Sequence, residues 1–505
     1  MLSPKQRTPS CAVLQLVPAR IACHYRIIPL SSENDSICVA ISDCTDLDRL
    51  DELRLALGCA IKPVQWDEEA ILDAIKKHYG IGADTLEHLS GTRVESSLIV
   101  DQKAEDLTDL SADSSIIKFV NQLILEAYRE RATDIHIEPF EEDLRVRYRI
   151  DGILYEASIP SQIKQFQDAI VSRIKIMANL NIAEKRVPQD GRINVQIAGQ
   201  QFDLRVSILP VAHGESVDIR ILQRSNIFLS LEELGLSSHA LSIFNRVIKR
   251  PHGIVLLTGP TGSGKTTTLY ACLDKMNSTH RKIITIEDPV EYQMRGICQM
   301  QVLPKIGFTF AAGLRSMLRH DPNVMMVGEI RDFETAELAI RAALTGHLVF
   351  STLHTNDAAG AVTRLLDIGI ETYLVASSVE CVVAQRLVRL VCPKCAEPVE
   401  PDKWLCEELG ITDQQEDTFR RGKGCEECRG SGYFGRTATA EVMTMTESIR
   451  ELVSARSPAS TIRRRAIEQG MVTLREDGLK KARRGDTTLD EVLRVTQSDE
   501  DLTGV

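Results

Sequence analysis

The chain has no uninterrupted apolar run long enough to span a bilayer. Its most apolar stretch, Tyr373 to Val383, is short and broken by Ser377, Ser378 and Glu380, which excludes an intrinsic membrane span. The first twenty residues, MLSPKQRTPSCAVLQLVPAR, lack a sustained apolar core, so no secretory leader is expected. Positive charge is in short supply. Sixty Lys and Arg face 71 Asp and Glu, and the net charge of −11 is a poor balance for a general nucleic-acid binder. Internal repeats and low-complexity tracts are also missing. The thirteen cysteines are an odd number and mostly scattered, which suggests reduced thiols instead of a disulfide framework. An apolar fraction of 43% and a charged fraction of 26% exclude wholesale disorder. At about 150 residues per domain, 505 residues imply roughly three domains.

Residues 1–80 read as a small α/β unit. Strands are expected at Ile27–Leu30, Ser36–Ile41 and Ile61–Gln65, with helices at Asp46–Leu57 and Asp67–His78. Residues 81–112 are polar and acidic, as a linker would be. A second, α+β unit is expected over 113–232. Ile116, Ile117, Val120, Leu123, Ile124 and Ala127 keep helical spacing. Strands are then expected at Asp134–Glu138, Leu144–Ile150, Arg192–Ile197 and Phe202–Leu209, and the alternating Arg145, Arg147 and Arg149 predict a basic, solvated sheet face. From 233 to 505, short apolar runs at Ile254–Thr258, Lys282–Ile286, Val324–Val327 and Leu348–Thr352 alternate with helical patterns. That alternation argues a parallel sheet with crossover helices.

Gly259, Pro260, Thr261, Gly262, Ser263, Gly264, Lys265 and Thr266 fit G-x-x-x-x-G-K-[ST], directly after an apolar strand and before the helix-like TTTLYACLDKM that includes Thr267. The glycines let backbone N–H groups wrap a polyphosphate. Lys265 suits the β- and γ-phosphates, and the Thr266 hydroxyl suits Mg²⁺. The spacing therefore predicts a site for a nucleotide and Mg²⁺.

Four further segments add to it: IEDPVEY from Ile286, VMMVGEIRD from Val324, TGH from Thr345 and STLHT from Ser351. In this order they resemble the Asp box, Walker B and His box of the secretion ATPase superfamily. The resemblance is to type II secretion ATPases (the GspE family) and type IV pilus assembly ATPases, over roughly residues 105–495. It implies ATP as the nucleotide and a C-terminal RecA-like P-loop core, preceded by a PAS-like α+β domain and a small α/β domain. It also implies that Glu329 orients or polarises the attacking water, that Glu287 holds metal-bound or lytic water, and that His354 senses the γ-phosphate. Arg315 and Arg319 in the core, and Arg205 and Arg220 in the preceding unit, match positions that act on the γ-phosphate, while Arg436 is a candidate nucleotide or interface contact. Each of these residues has a plainer reading: a loop acid for Glu287, a core histidine for His354, exposed sheet residues for Arg205 and Arg220.

Cys392-x₂-Cys395 and Cys425-x₂-Cys428 can present four thiolates to one structural Zn²⁺, with Gly430 and Gly432 suited to knuckle turns. A redox dithiol would need one pair only. The basic clusters Arg463–Arg465 and Lys480–Arg484 are expected on solvated helix faces. The family resemblance implies a cytoplasmic homohexamer, peripheral to the bacterial inner membrane through partners. These would be a bitopic membrane protein (GspL-like) docked by residues 1–80 and a polytopic platform protein (GspF-like), with no nucleic acid. The implied work is pseudopilus assembly and protein export in type II secretion. Type IV pilus assembly, nucleic-acid translocation and a non-hydrolysing scaffold are the alternatives.

Overall fold

The computed structural model describes residues 11–14, 16–33, 36–79, 105–106, 115–223, 229–411 and 418–496. They fall into two compact units, Met1–Asn226 and Ile227–Val505. Most of the stretch expected as a linker, and the first ten residues, lie outside the described residues.

In the first unit a three-stranded sheet is built from Ile28–Glu33, Ser36–Ile41 and Ala60–Gln65. The first two strands are antiparallel. The second and third are parallel, because helix Leu47–Leu57 crosses over between them. Asp46 caps that helix by accepting from Arg49 N–H, and Gly58 ends it in the left-handed conformation. Helix Glu68–Tyr79 follows, and the Tyr79 hydroxyl donates to the Val17 carbonyl at 2.8 Å.

The same unit holds a seven-stranded sheet, in the order Glu105–Asp106, Gln189–Ile197, Gln200–Val211, Gly214–Gln223, Asp134–Pro139, Leu144–Ile150 and Ile153–Glu156. Helices Ser115–Arg129 and Gln167–Met177 share one apolar core with the inward side chains of these strands. The polar face differs from the basic surface expected. Arg147 forks onto Glu138 at 2.7 and 2.8 Å, and Arg149 lies 3.7 Å from Asp134. Carboxylates on the neighbouring strand neutralise the arginine stripe.

The second unit is built on a seven-stranded sheet in the order Cys298–Gln301, Ile283–Glu287, Val324–Val327, Leu348–Leu353, Gly253–Thr258, Val379–Val391 and Tyr433–Thr444. All neighbouring pairs are parallel except the last, which is antiparallel. The four apolar runs read from the sequence are its central strands, and one of them, Gly253–Thr258, is buried at every position. Burial on both faces explains why these strands read as continuous apolar runs with no alternation. The apolar stretch from Tyr373 is divided by the fold: helix Thr372–Ser378 gives way directly to strand Val379–Val391.

The C-terminal basic cluster is only partly a solvated face. Lys481 is 3% exposed and donates to the Gly235 carbonyl, anchoring helix Leu474–Arg483. Helix Leu489–Val495 is fixed to strand Val379–Val391 through Glu491. Its fully buried carboxylate accepts from Arg389 at 2.8 Å and Arg494 at 2.6 Å. Burial would raise the Glu491 pKa, but the hydrogen bonds from Arg494 and Arg389 outweigh it and hold the group below the usual carboxylate range. A depressed carboxylate contributes stability above its unfolded pKa, and that contribution is lost as pH falls through the folded value. Glu491→Gln is therefore expected to cost about 3 kcal/mol at neutral pH, read as a lower urea midpoint. The difference from wild type should narrow below about pH 4.

Candidate active site

The phosphate loop sits where strand Gly253–Thr258 leaves the sheet, ahead of helix Lys265–Met276. Its glycines have two reasons to lack a side chain. Gly259, Gly262 and Gly264 have φ of 147°, 78° and 85°. A Cβ on Gly259 would also lie 2.6 Å from the Gln385 carbonyl, and one on Gly264 would lie 2.7 Å from Gln385 Nε2. The next strand thus presses against the loop at both ends. Gln385, 1% exposed, donates from Nε2 to the Ser263 carbonyl at 2.9 Å and accepts from the Thr268 hydroxyl at 2.8 Å.

Lys265 Nζ donates to the Gly259 carbonyl at 2.7 Å and the Pro260 carbonyl at 3.0 Å. Burial, with the positive charge of Arg386, pushes its pKa down to about 8, against the opposing pull of Glu329. Lys265, Arg386 and Glu329 therefore feel one another's charge. Thr266 and Thr267, in the first turn of the helix, are half-buried.

Glu329 follows Gly328 at the exit of strand Val324–Val327, and its side chain is 13% exposed. Arg331 reaches it at 2.5 Å, and His354 Nε2 lies 3.2 Å from its other oxygen. His354 in turn leaves the end of strand Leu348–Leu353, so consecutive parallel strands deliver the phosphate loop, the carboxylate and the histidine to one sheet edge.

Glu287 ends strand Ile283–Glu287, next to the strand that leads to Glu329. It is 3% exposed, and it accepts from the Tyr270 hydroxyl, from the Thr285 hydroxyl at 2.5 Å and from Gln299 Nε2 at 3.2 Å. Burial raises its pKa despite these donors. Arg315 pairs with Glu334, and Arg319 donates to the Arg315 carbonyl at 3.0 Å. The Arg315–Glu334 pair joins helices Phe310–Met317 and Phe333–Leu344, while the Arg319 bond stays within its own segment. Arg436 is an exposed residue of the last strand, opposite Arg389.

In the first unit, Arg205 and Arg220 are direct cross-strand partners in a row that runs Arg192, Arg205, Arg220, Asp134, Arg149. Arg220 Nε donates to Asp134 at 2.9 Å, and Asp134 also accepts from Thr133. Directly opposed arginines are unfavourable on their own. Asp134 supplies a counter-charge within the row.

Gln385 and Arg386 were missed from the sequence. Their signal was present: a polar pair directly after the apolar run CVVA and before LV.

The four cysteines converge. All four Sγ atoms lie within 4.8 Å of one another, with Cys392–Cys425 at 3.8 Å, Cys395–Cys428 at 3.7 Å and Cys425–Cys428 at 3.6 Å. A tetrahedron with Zn–S bonds of about 2.3 Å has edges of about 3.8 Å, so the donor set fits zinc. Backbone N–H groups of Cys425 and Gly432 point at Cys428 Sγ from 3.2 and 3.3 Å, the knuckle geometry expected of a metal-bound thiolate.

The model of the family described as "Type II/IV secretion system protein" matches residues 109–494, and that of the MshEN domain matches residues 1–85. The type IV pilus assembly ATPase PilB of Myxococcus xanthus is 43% identical over 494 residues, 96% of this chain and 87% of that protein. The type II secretion system ATPase E of Vibrio cholerae is 50% identical over 393 residues, 78% of each chain. Among solved structures, the pilus retraction motor PilT with bound ADP aligns with a TM-score of 0.50 at 25% identity, covering 75% of this chain and 98% of that one.

For the cysteine cluster, elemental analysis of the purified protein is expected to give about one zinc per chain. A Cys395→Ser/Cys428→Ser variant should lose it and melt earlier. Wild-type protein purified without a stoichiometric metal would contradict the assignment.

Proposed function

The chain belongs to the type II/IV secretion system ATPase family, and from that premise we propose that it hydrolyses ATP to drive pseudopilus assembly and protein export in bacterial type II secretion. The observation that carries this reading is the convergence of Lys265, Glu329 and His354 at one edge of a parallel sheet, beside a loop shaped for polyphosphate. The loop N–H groups and Lys265 hold the phosphates, and Lys265 must exchange its two carbonyl partners for phosphate oxygens. Mg²⁺, which the Thr266 hydroxyl is suited to hold, would neutralise developing charge. Glu329 orients the attacking water, with His354 and Arg331 fixing its carboxylate.

Arg205 and Arg220 are proposed as the arginines that act on the γ-phosphoryl group, with Arg315 and Arg319 as further candidates in the core. Their adjacency in register supports treating Arg205 and Arg220 as a pair. Glu287, locked among Tyr270, Thr285 and Gln299, is proposed to brace the strand ending beside Gly328. Arg436 is kept as a candidate interface or nucleotide contact, and the cysteine cluster as a structural zinc clip.

No helix among the described residues is long and apolar enough to cross a membrane. Membrane work is accordingly assigned to partners: a bitopic inner-membrane protein docked by the N-terminal domain and a polytopic platform protein, with the chain acting as a cytoplasmic homohexamer. The M. xanthus pilus ATPase, matched over 96% of this chain, supports type IV pilus assembly as the second reading. The acid excess speaks against nucleic-acid translocation.

Arg220→Ala is expected to leave ATP affinity within about threefold of wild type and to lower turnover by on the order of 10² or more, measured by equilibrium nucleotide binding and phosphate release. Unchanged turnover would remove Arg220 from the reaction.

A further inference from the structure

The loop that carries His354 is fastened at three successive points, each by a different element. Thr355 is held by the strand that feeds the phosphate loop: its N–H donates to the Thr258 hydroxyl at 2.8 Å, and the two hydroxyls are 2.7 Å apart. Ala358 N–H donates to the buried Glu441 at 2.9 Å. Between them, Arg386 Nη2 donates to the Asn356 carbonyl at 3.1 Å and to its side-chain oxygen at 3.2 Å.

The other end of the same guanidinium stands at the phosphate loop. Nη1 donates to the Gln385 carbonyl at 3.1 Å and lies 3.0 Å from where a Gly259 side chain would start. Arg386 therefore packs against the first loop glycine while its hydrogen bonds fasten the segment two residues past His354 to its own strand. A planar fork can bond the Gln385 carbonyl and Asn356 at once, whereas an ammonium offers one point of attachment.

We propose that Arg386 is a positioning residue for hydrolysis, tying the His354 loop to strand Val379–Val391, whose Gln385 grips the phosphate loop, so that His354 meets Glu329 when the phosphate loop is filled. The fastening has a direction. Strand Val379–Val391 is common to Gln385, which grips the phosphate loop, and Arg386, which grips the histidine loop. A shift of the phosphate loop as it takes up an anion is therefore transmitted to Asn356 over a single residue step. His354 is 3.2 Å from Glu329, so displacement of the loop by about 1 Å breaks that contact. The guanidinium is partly buried, and that burial pushes its pKa down with Glu441 and Asp357 opposing.

This inference rests on the reading of Glu329 and His354 as parts of the hydrolytic site, and the experiment separates the two. Steady-state hydrolysis and fluorescent-nucleotide affinity are measured for the full-length protein and for Arg386→Gln, Arg386→Lys, His354→Ala and the Arg386→Gln/His354→Ala double variant. Lys265→Ala serves as the control for the site itself. Arg386→Gln is expected to lower kcat at least tenfold with KM and nucleotide affinity within threefold. Arg386→Lys, which keeps the charge and loses the fork, should fall in the same direction and guard against misfolding of the first variant. The double variant should be no slower than the slower single variant, because both changes remove one interaction. Multiplying effects, a raised KM with kcat unchanged, or full activity in Arg386→Lys would each overturn the proposal. Hydrolysis that survives Lys265→Ala would instead defeat the active-site reading.

Discussion

A row of backbone N–H groups has to be aimed at one point, and nearly everything else in the second unit serves that aim. Strand Gly253–Thr258 is buried along its whole length between two parallel neighbours, so the chain leaving it has a fixed origin and direction. The loop then adopts left-handed backbone at Gly262 and Gly264 before entering helix Lys265–Met276. Gln385 closes the arrangement from the side, filling space that any larger residue at positions 259 or 264 would need. The loop is shaped before an anion arrives, which is the economical way to stabilise a transferring phosphoryl group: little reorganisation is left for the reaction itself.

The charges around the loop are balanced in a way that suits a polyanion. Lys265 and Arg386 are partly withdrawn from water and disfavour each other, while Glu329 draws on Lys265 from the opposite side. Withdrawing Lys265 from water beside a second cation is unfavourable alone and is offset once phosphate oxygens replace its carbonyl partners. Glu329 meanwhile is kept from drifting by Arg331 and His354. The four-cysteine cluster follows the end of strand Val379–Val391, and the buried Glu491 pairs with Arg389 on the same strand that carries Gln385 and Arg386.

Much of this was legible in the sequence because its physical causes are local. Continuous apolar runs such as Ile254–Thr258 announce strands covered on both faces, and the spacing of Gly259, Gly264 and Lys265 announces a phosphate loop without reference to the rest of the chain. The cysteine pairs likewise carry their own geometry. Three things were not legible. The arginine stripe at 145, 147 and 149 reads as basic, since the acids that neutralise it, Glu138 and Asp134, sit on another strand. Lys481 reads as a surface lysine, although the Gly235 carbonyl that accepts from it is 246 residues away in sequence. The third is the set of partners that encloses Glu287, since its place at a strand end gives no sign of Tyr270, Thr285 and Gln299. Each miss is a tertiary partner that periodicity does not encode. Arg386 differs in being marked as a polar residue beside an apolar run, but its neighbours Asn356 and Gly259 were not legible.

The account stands or falls on Glu329 as the group that prepares water for attack. Single-turnover phosphate release by Glu329→Gln, mixed with one equivalent of ATP·Mg²⁺, puts the question directly. The glutamine has the shape of the carboxylate without its basicity. Tight nucleotide binding with release slowed by on the order of 10²-fold or more is the predicted result. Release at the wild-type rate, with binding intact, would contradict it.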